Sequence, residues 1–446
     1  MQDWLKMSMA DLGRGIASGE IDPIDLTEEY LTAIKAHPFS TRIYARLTEE
    51  RARAEAKAAS LRAKAGLRRG PLDGVPVSWK DLFDTAGTAT EAGTALLKDR
   101  VPETDAWALQ NATQAGLVCL GKTHMSELAF SGLGLNPVTE TPPCVNDHGA
   151  VAGGSSSGAA ASVAFGLAPC GVGSDTGGSV RIPAAWNDLV GLKTTATRIP
   201  LTGVVPLCET FDTVGPLCRT VEDAALMLAA LEGGQAVDLE GVSAAGLRLA
   251  ILDTIALDEV REAPKAAFDS AIARLKAAGA TIEHIKAPEV ADIMPLSPIL
   301  FTSEAYGTWK TVIEAAPDKM FPEILARFRS GAGHSAADYV AAWQTIETAR
   351  QHWAARVAGY DAVLLPSAPI LPPNAERLMS DSDYYITENL LSLRNTRIGN
   401  LLGLPAITLP TGTPSCGILL MGAAFGEEKL LRVAAATEKA LTREAL

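Results

Sequence analysis

The residue types and spacings that suggest chemistry lie between positions 153 and 183. Gly153-Gly-Ser-Ser-Ser-Gly-Ala-Ala-Ala-Ser162 and Gly171-Val-Gly-Ser-Asp-Thr-Gly-Gly-Ser-Val-Arg-Ile-Pro183 read as two Ser/Gly loops flanking a short Ala-rich helix and a strand. Consecutive glycines give the backbone conformations closed to other residues. Thr176-Gly177-Gly178-Ser179 can therefore aim several N–H groups at one point. An oxyanion hole needs that arrangement, and Ser179 sits at its edge as a nucleophile. A flexible glycine-rich turn is the plain alternative, and an isolated Gly-Gly-Ser would carry no more than that.

A serine nucleophile needs a base. No histidine lies in this segment, although one can arrive from elsewhere in the chain. Lys80 is the other candidate, at the end of a short strand, Val75-Pro-Val-Ser-Trp-Lys80, that is apolar enough to bury it. Lysine acts as a base only where burial lowers its pKa until the amine is neutral. Read locally, a salt bridge from Lys80 to Asp81 or Asp84 is the simpler expectation. Other patterns carry less. Gly116-Leu-Val-Cys-Leu-Gly121-Lys122-Thr123 has the spacing of a phosphate-binding loop, but its middle is an apolar run preceded by a helix, so a strand and a turn are expected. No full GxGxxG is present. The six cysteines (Cys119, Cys144, Cys170, Cys208, Cys218 and Cys416) include no CxxC pair and are expected to be reduced and buried. The six histidines show no ligand spacing, so no metal and no cofactor are expected.

The chain resembles the amidase signature family of serine hydrolases. The resemblance rests on Gly153-Gly154-Ser155-Ser156, on Gly173-Ser174-Asp175-Thr176-Gly177-Gly178-Ser179-Val180-Arg181, and on Pro183-Ala-Ala-Trp and Gly191-Leu-Lys193. Asp73-Gly-Val-Pro-Val-Ser-Trp-Lys80-Asp, Gly121-Lys-Thr123, Asp212-Thr-Val-Gly-Pro216 and Gly403-Leu-Pro-Ala-Ile407 add to it, in the family's order. The resemblance implies a mixed, twisted central β-sheet surrounded by α-helices. It implies Ser179 as nucleophile, Ser155 as a bridging serine after a cis Gly154–Ser155 peptide bond, and Lys80 as the base. Protons would pass from Ser179 through Ser155 to neutral Lys80 and back to the leaving amine. The N–H groups of Thr176, Gly177, Gly178 and Ser179 would hold the oxyanion. Ser156 is expected to support this group by hydrogen bonding, and Asp175 and Arg181 to brace the loop as a buried pair. Amides are the implied substrates, with esters, anilides and carbamates also open to acyl-enzyme chemistry.

The sequence departs from the family pattern in places. Ser157 stands where Gly is common, and Asn187-Asp188 replaces a frequent Cys-Gly. In the amidotransferase subunit that amidates misacylated tRNA, the arginine is typically followed by Gln-Pro; here Arg181 is followed by Ile182-Pro183. That weakens the alternative reading, a subunit releasing ammonia from glutamine for a partner protein. A non-catalytic scaffold is disfavoured because all three candidate residues are present.

Helices and short apolar strands must position these residues, and their interleaving gives an α/β sheet protein. Asp22-Pro23 opens a helix to about His37, and Thr48 to Ala65 forms another. Strands are expected at Leu117–Leu120, Leu247–Leu252, Ala280–Ile285, Ala362–Leu365, Pro405–Leu409 and Ile418–Met421, with helices at Asp105–Ala115, Ala263–Ala278 and Glu428–Leu441. Residues 1–446 are read as one domain with a helical substrate-pocket insertion at about 290–360. There Trp309, Phe321, Phe328, Tyr339 and Trp343 are core residues or, less simply, a pocket wall. Residues 125–150 are expected to contribute to the pocket.

The 446 residues carry 39 Lys+Arg and 52 Asp+Glu, a net charge of −13, with 47% hydrophobic residues. That is a globular composition. Its one dense basic stretch, Arg51 to Arg69, reads as the solvated face of a helix, so no nucleic-acid partner is expected. With no leader-like or membrane-spanning segment in view, a cytoplasmic protein acting on a small amide-type substrate is expected. The oligomeric state stays open, a homodimer being common in the family.

Overall fold

The computed structural model describes residues 3–442. Eleven strands form one sheet: β1 (Tyr44–Leu47), β2 (Pro76–Lys80), β3 (Val118–Thr123), β4 (Cys170–Ser174), β5 (Val190–Lys193), β6 (Val214–Cys218), β7 (Arg248–Leu252), β8 (Thr281–Ile285), β9 (Ala362–Pro366), β10 (Ala406–Pro410) and β11 (Gly417–Met421). Their order is β1-β3-β2-β4-β6-β5-β10-β11-β9-β7-β8. β2 is parallel to both β3 and β4, and β7 to both β8 and β9. The remaining neighbours, including β4 with β6, are antiparallel. This is the mixed sheet wrapped by helices that the sequence suggests. The central strands β2 to β6 are fully buried, consistent with cover on both faces.

Local signals act where the sequence places them. Asp22 caps the helix Pro23–Ala36 by accepting from the Ile24 amide, with Pro23 in the first turn. The basic run falls on the helix Glu49–Lys64, where its arginines are tied to acids: Arg51 to Glu55 and Asp105, Arg53 to Glu28 and Glu49, Arg62 to Asp73. The phosphate-loop spacing at Gly116–Thr123 folds as β3, and Lys122 is buried, donating to the Phe83 carbonyl at 2.6 Å. All six cysteines are free and buried.

Positions 288–357 are helical nearly throughout, built on Ser297–Ala315, Pro322–Arg329 and Ala336–Val357. The long helix Ser382–Leu401 and strands β1, β5 and β6 lie outside the elements expected from sequence.

The sheet places the candidate residues. Lys80 ends β2 and Ser174 ends the adjacent parallel strand β4, so both reach the carboxyl edge at the sheet's centre. In open α/β sheets that edge is where crevices form. Ser155 lies just before the helix Ser157–Ala164, which packs on the same strands, and Ser179 just before the helix Arg181–Trp186.

Candidate active site

Lys80 is fully buried, and its amine reaches two hydroxyls, donating to Ser155 Oγ at 2.6 Å and to Ser174 Oγ at 2.8 Å. The salt bridge that its neighbours suggest is not made. Asp81 pairs with Arg46 at 2.6 Å and with Lys122 at 3.4 Å, while Asp84 pairs with Arg100 at 2.6 Å. Burial dominates the Lys80 amine and outweighs the nearby charges of Asp212 and Asp175, so its pKa falls to about 7. An amine with that pKa is substantially neutral near pH 7 and can accept a proton.

Ser179 lies beside Ser155, but the contact differs from the expected one. The Ser155 backbone N–H donates to Ser179 Oγ at 3.0 Å. The Ser155 hydroxyl is occupied with Lys80, and a direct hydroxyl-to-hydroxyl hydrogen bond between the serines is not formed. The expected cis bond at Gly154–Ser155 is a further correction: among the described residues there is no cis peptide. The turn is made instead by left-handed glycines, Gly153 at φ 89° and Gly154 at φ 56°. Gly154 also has no room for a side chain, since a Cβ would stand 2.4 Å from Pro183 Cδ and 3.0 Å from Ser179 Cα.

Thr176, Gly177 and Ser179 of the loop 176–179 line a small cavity. None of the N–H groups of Thr176, Gly177, Gly178 and Ser179 donates to a partner among the described residues, whereas the flanking amides of Asp175 and Val180 do, to Thr213 O and Asp175 Oδ2. Backbone amides in folded chains are nearly always paired, so a run of free ones beside a serine is a ready donor site for a developing oxyanion. Gly178, at φ 142°, makes the run possible, because a Cβ there would lie 2.1 Å from Thr396 Oγ1.

A buried polar frame holds this loop. Asp175 and Arg181 are both inaccessible, and Arg181 donates Nε and Nη2 to the two oxygens of Asp175 at 3.0 and 2.9 Å. The other Arg181 donors go to Thr396 O at 2.8 Å and Asn400 Oδ1 at 2.5 Å. Burial alone would raise the Asp175 carboxyl; the Arg181 guanidinium reverses this and holds it well below the usual carboxylate range. Arg181 has no contact with the cavity at Ser179, so its geometry is that of a brace. Ser156 Oγ donates to the Ser174 carbonyl at 3.1 Å and accepts the Ser174 amide at 3.3 Å, fixing the residue that Lys80 also touches. Thr176 Oγ1 donates to the buried carboxyl of Asp212. Asn187, at a position that departs from the family pattern, donates to Ala152 O and Pro183 O, each at 2.8 Å, and ties the two Ser/Gly loops together.

A cavity of about 30 Å³ opens in front of Ser179, lined by Ala129, Phe130, Ser131, Thr176, Gly177, Leu207 and Phe301, with Arg327, Leu393 and Arg397 beyond. The segment 129–131 contributes as the sequence suggests. The five aromatics singled out in the helical stretch do not line the cavity: Trp309 and Phe328 are core, and Phe321, Tyr339 and Trp343 pack against it. Phe301 takes that place instead. No histidine or cysteine lines the cavity among the described residues. Sequence reasoning missed Ser174, Arg327 and Arg397. Ser174 lies inside the most specific block and was open to discovery there, whereas the two arginines carry no local signal.

A family model described as Amidase matches residues 25–431. The chain is 34% identical over 408 residues to a 2-amino-5-chloromuconic acid deaminase of Comamonas testosteroni, covering 87% of this chain and 86% of the relative. It is 30% identical over 481 residues to the A subunit of the glutamyl-tRNA(Gln) amidotransferase of Anaeromyxobacter sp. (strain K), covering 98% and 96%. Among solved structures, the native peptide amidase of Stenotrophomonas maltophilia superposes with a TM-score of 0.81 at 27% identity, covering 98% of this chain and 97% of that one.

Proposed function

The chain belongs to the amidase family, whose chemistry is hydrolysis of amide bonds, and on that premise we propose that it cleaves small carboxamides through an acyl-enzyme on Ser179, with Ser155 and Lys80 as its proton relay. The observation that carries this reading is the buried Lys80 amine, held 2.6 Å from Ser155 Oγ in a place that leaves about half of it neutral near pH 7.

As Ser179 Oγ attacks the carbonyl carbon, its proton passes to Ser155 Oγ, and the Ser155 proton passes to Lys80 Nζ. The link between the two serines forms as substrate enters and the Ser179 hydroxyl turns to Ser155 Oγ; catalytic hydrogen bonds commonly tighten only in the substrate complex. The carbonyl oxygen becomes an oxyanion and takes hydrogen bonds from the free amides of 176–179. Lys80 returns the proton through Ser155 to the departing nitrogen, and the C–N bond breaks. Water, activated by the same relay, then releases the carboxylic acid and regenerates Ser179. The hole recognises only a carbonyl oxygen, so activated esters, anilides and carbamates enter the same path.

The similarity to the A subunits of amidotransferases favours one second reading, release of ammonia from glutamine for a partner protein. A hydrolysis panel separates the two: primary amides, anilides, esters, carbamates and glutamine, with purified protein beside Ser179→Ala. Turnover of simple amides that is lost in the variant supports the hydrolase. Glutaminase activity alone, appearing with a partner, supports the amidotransferase reading. Turnover that survives in Ser179→Ala contradicts both.

A further inference from the structure

Two arginines face the cavity of Ser179 without an ion pair, although Glu323 lines the second chamber that both also border. Arg397 is 9% exposed, and its single hydrogen bond runs from Nη1 to Ser297 Oγ at 3.3 Å. Arg327 lies with its guanidinium 4.4 Å from the centre of the Phe130 ring and donates Nη1 to the Phe130 carbonyl at 3.1 Å. Neither forms an ion pair among the described residues. Burial lowers both pKa values, and the Arg327 charge adds to the effect on Arg397, which falls to about 9.

The contrast with the other buried arginine is informative. Arg181 is saturated by Asp175, Asn400 and Thr396. Arg397 is buried without a counter-charge and Arg327 is half-buried, so two guanidinium groups without ion pairs share one small site. Both also border a second chamber of about 290 Å³, and Phe301 is the third wall shared with the cavity at Ser179. Apolar Leu207, Phe301 and Leu393 line the same cavity as the serine and the guanidinium groups. A protein of net charge −13 offers no general attraction for anions, so an anionic ligand has to be attracted locally.

We propose that the substrate's acyl part carries a carboxylate, bound by Arg327 and Arg397, so that the enzyme takes short half-amides of dicarboxylic acids. This rests on the hydrolase reading for its reaction but not for its anion site. The amide carbonyl lies at Ser179 and the 176–179 amides, a short hydrocarbon spacer lies against Phe301, Leu207 and Leu393, and the far carboxylate accepts from the free Nη and Nε donors. Arg-to-carboxylate bonds are charge-assisted and directional.

Two measurements on the whole protein test it. The first is calorimetric binding of glutarate to the wild type, Arg327→Gln, Arg397→Gln and Arg397→Lys, with melting curves to verify folding. The second compares kcat/KM for glutaramate and for neutral, similarly sized pentanamide. The proposal predicts that glutarate binds the wild type and that binding falls at least about tenfold in each Gln variant, a scale set by charge-assisted hydrogen bonds. It also predicts a wild-type preference for glutaramate of about 100-fold, which shrinks in both Gln variants and partly recovers in Arg397→Lys. No glutarate binding, or binding equal in all variants, overturns it; if pentanamide is still cleaved through Ser179, the hydrolase reading survives. Glutarate binding that depends on both arginines, with no turnover and no reactive Ser179, would retain the anion site and overturn the hydrolase.

Discussion

Lys80 Nζ and Ser155 Oγ stand 2.6 Å apart although 75 residues separate them in the chain. β2 delivers the lysine to the centre of the sheet, and the Ser/Gly turn ahead of the helix Ser157–Ala164 delivers the serine. No carboxylate pairs with the lysine directly: Asp81 is turned to Arg46, Asp175 is spent on Arg181, and the nearby charge of Asp212 is outweighed by burial. The lysine is thereby left with hydroxyl partners only, the condition for a buried amine to act as a base.

That condition gives a pH profile. The base works when unprotonated, so kcat/KM rises about tenfold per pH unit up to about 7 and levels off above it. Lys80→Met removes this limb and lowers kcat by about 10³-fold or more. Lys80→Arg does the same, because a guanidinium stays charged. A steady-state pH series on the wild type and both variants checks this.

The same shift bears on stability. The folded pKa of about 7 lies below the free value of 10.5. Below pH 7 the amine is protonated in both states, and the cost of burying its charge is fully present. Between 7 and 10.5 the unfolded chain binds a proton that the folded one does not, so stability rises with pH. Lys193, buried against the carbonyls of Thr194 and Leu404, is also lowered to about 7 and adds to the rise. Denaturant titrations across this window are predicted to show a shallower rise in Lys80→Met than in the wild type.

Gly178→Ala is predicted to lower kcat by about 10²-fold or more, the usual effect of spoiling an oxyanion hole. The added Cβ would meet Thr396 Oγ1 at 2.1 Å and displace the loop whose Gly177 carbonyl accepts from that hydroxyl. Combining it with Thr396→Ala removes the 2.1 Å contact but leaves contacts of 2.8 Å to the Cβ of residue 396 and to Ile182 Cδ1, and the unfavourable φ of 142°, so only a partial recovery is expected. Turnover and melting curves of the single and double variants check this.

Asp175→Asn is predicted to destabilise the protein by about 3–5 kcal/mol, since it strands Arg181 in the core without its partner. The loss is read from denaturant unfolding. A change under about 1 kcal/mol would show that Asn400 and the Thr396 carbonyl hold Arg181 without help.

Ser157→Ala is predicted to stabilise the protein by about 1 kcal/mol with activity retained. Ser157 Oγ is buried without a hydrogen-bond partner, and removing an unsatisfied hydroxyl is favourable. Ser157 stands where glycine is common in the family, and its hydroxyl does not line the cavity of Ser179. A melting curve decides it.

The candidate residues around Ser155 and Ser179 were legible because their backbone demands are written in glycine. Gly153, Gly154 and Gly178 each occupy a position with positive φ and no room for a Cβ, so the motif preserves the fold around Ser155 and Ser179. Read locally, the pairing of Lys80 was not legible, because its adjacent acids suggested a salt bridge that the tertiary structure redirects to Arg46 and Arg100; only the family resemblance pointed it to Ser155. The strand β6 was hidden by Gly215 and Pro216 at its centre, residues that locally argue against a strand. The helix Ser382–Leu401 was hidden for a related reason: it buries Asn389, Asn395, Thr396, Arg397 and Asn400, so no apolar stripe marks it. Thr396 and Asn400 bond to the loop around Ser179 and Arg397 lines the cavity, and the half of the site that would select a substrate was therefore the least visible in sequence.

The central claim is that Ser179 is the nucleophile and that Lys80 activates it. The most direct test is reaction with a fluorophosphonate followed by mass-spectrometric mapping of the adduct. The account predicts one adduct, on the peptide carrying Ser179, formed in the wild type, absent in Ser179→Ala and slowed at least about 10²-fold in Lys80→Met. An adduct on another residue, or equal labelling rates with and without Lys80, would contradict it.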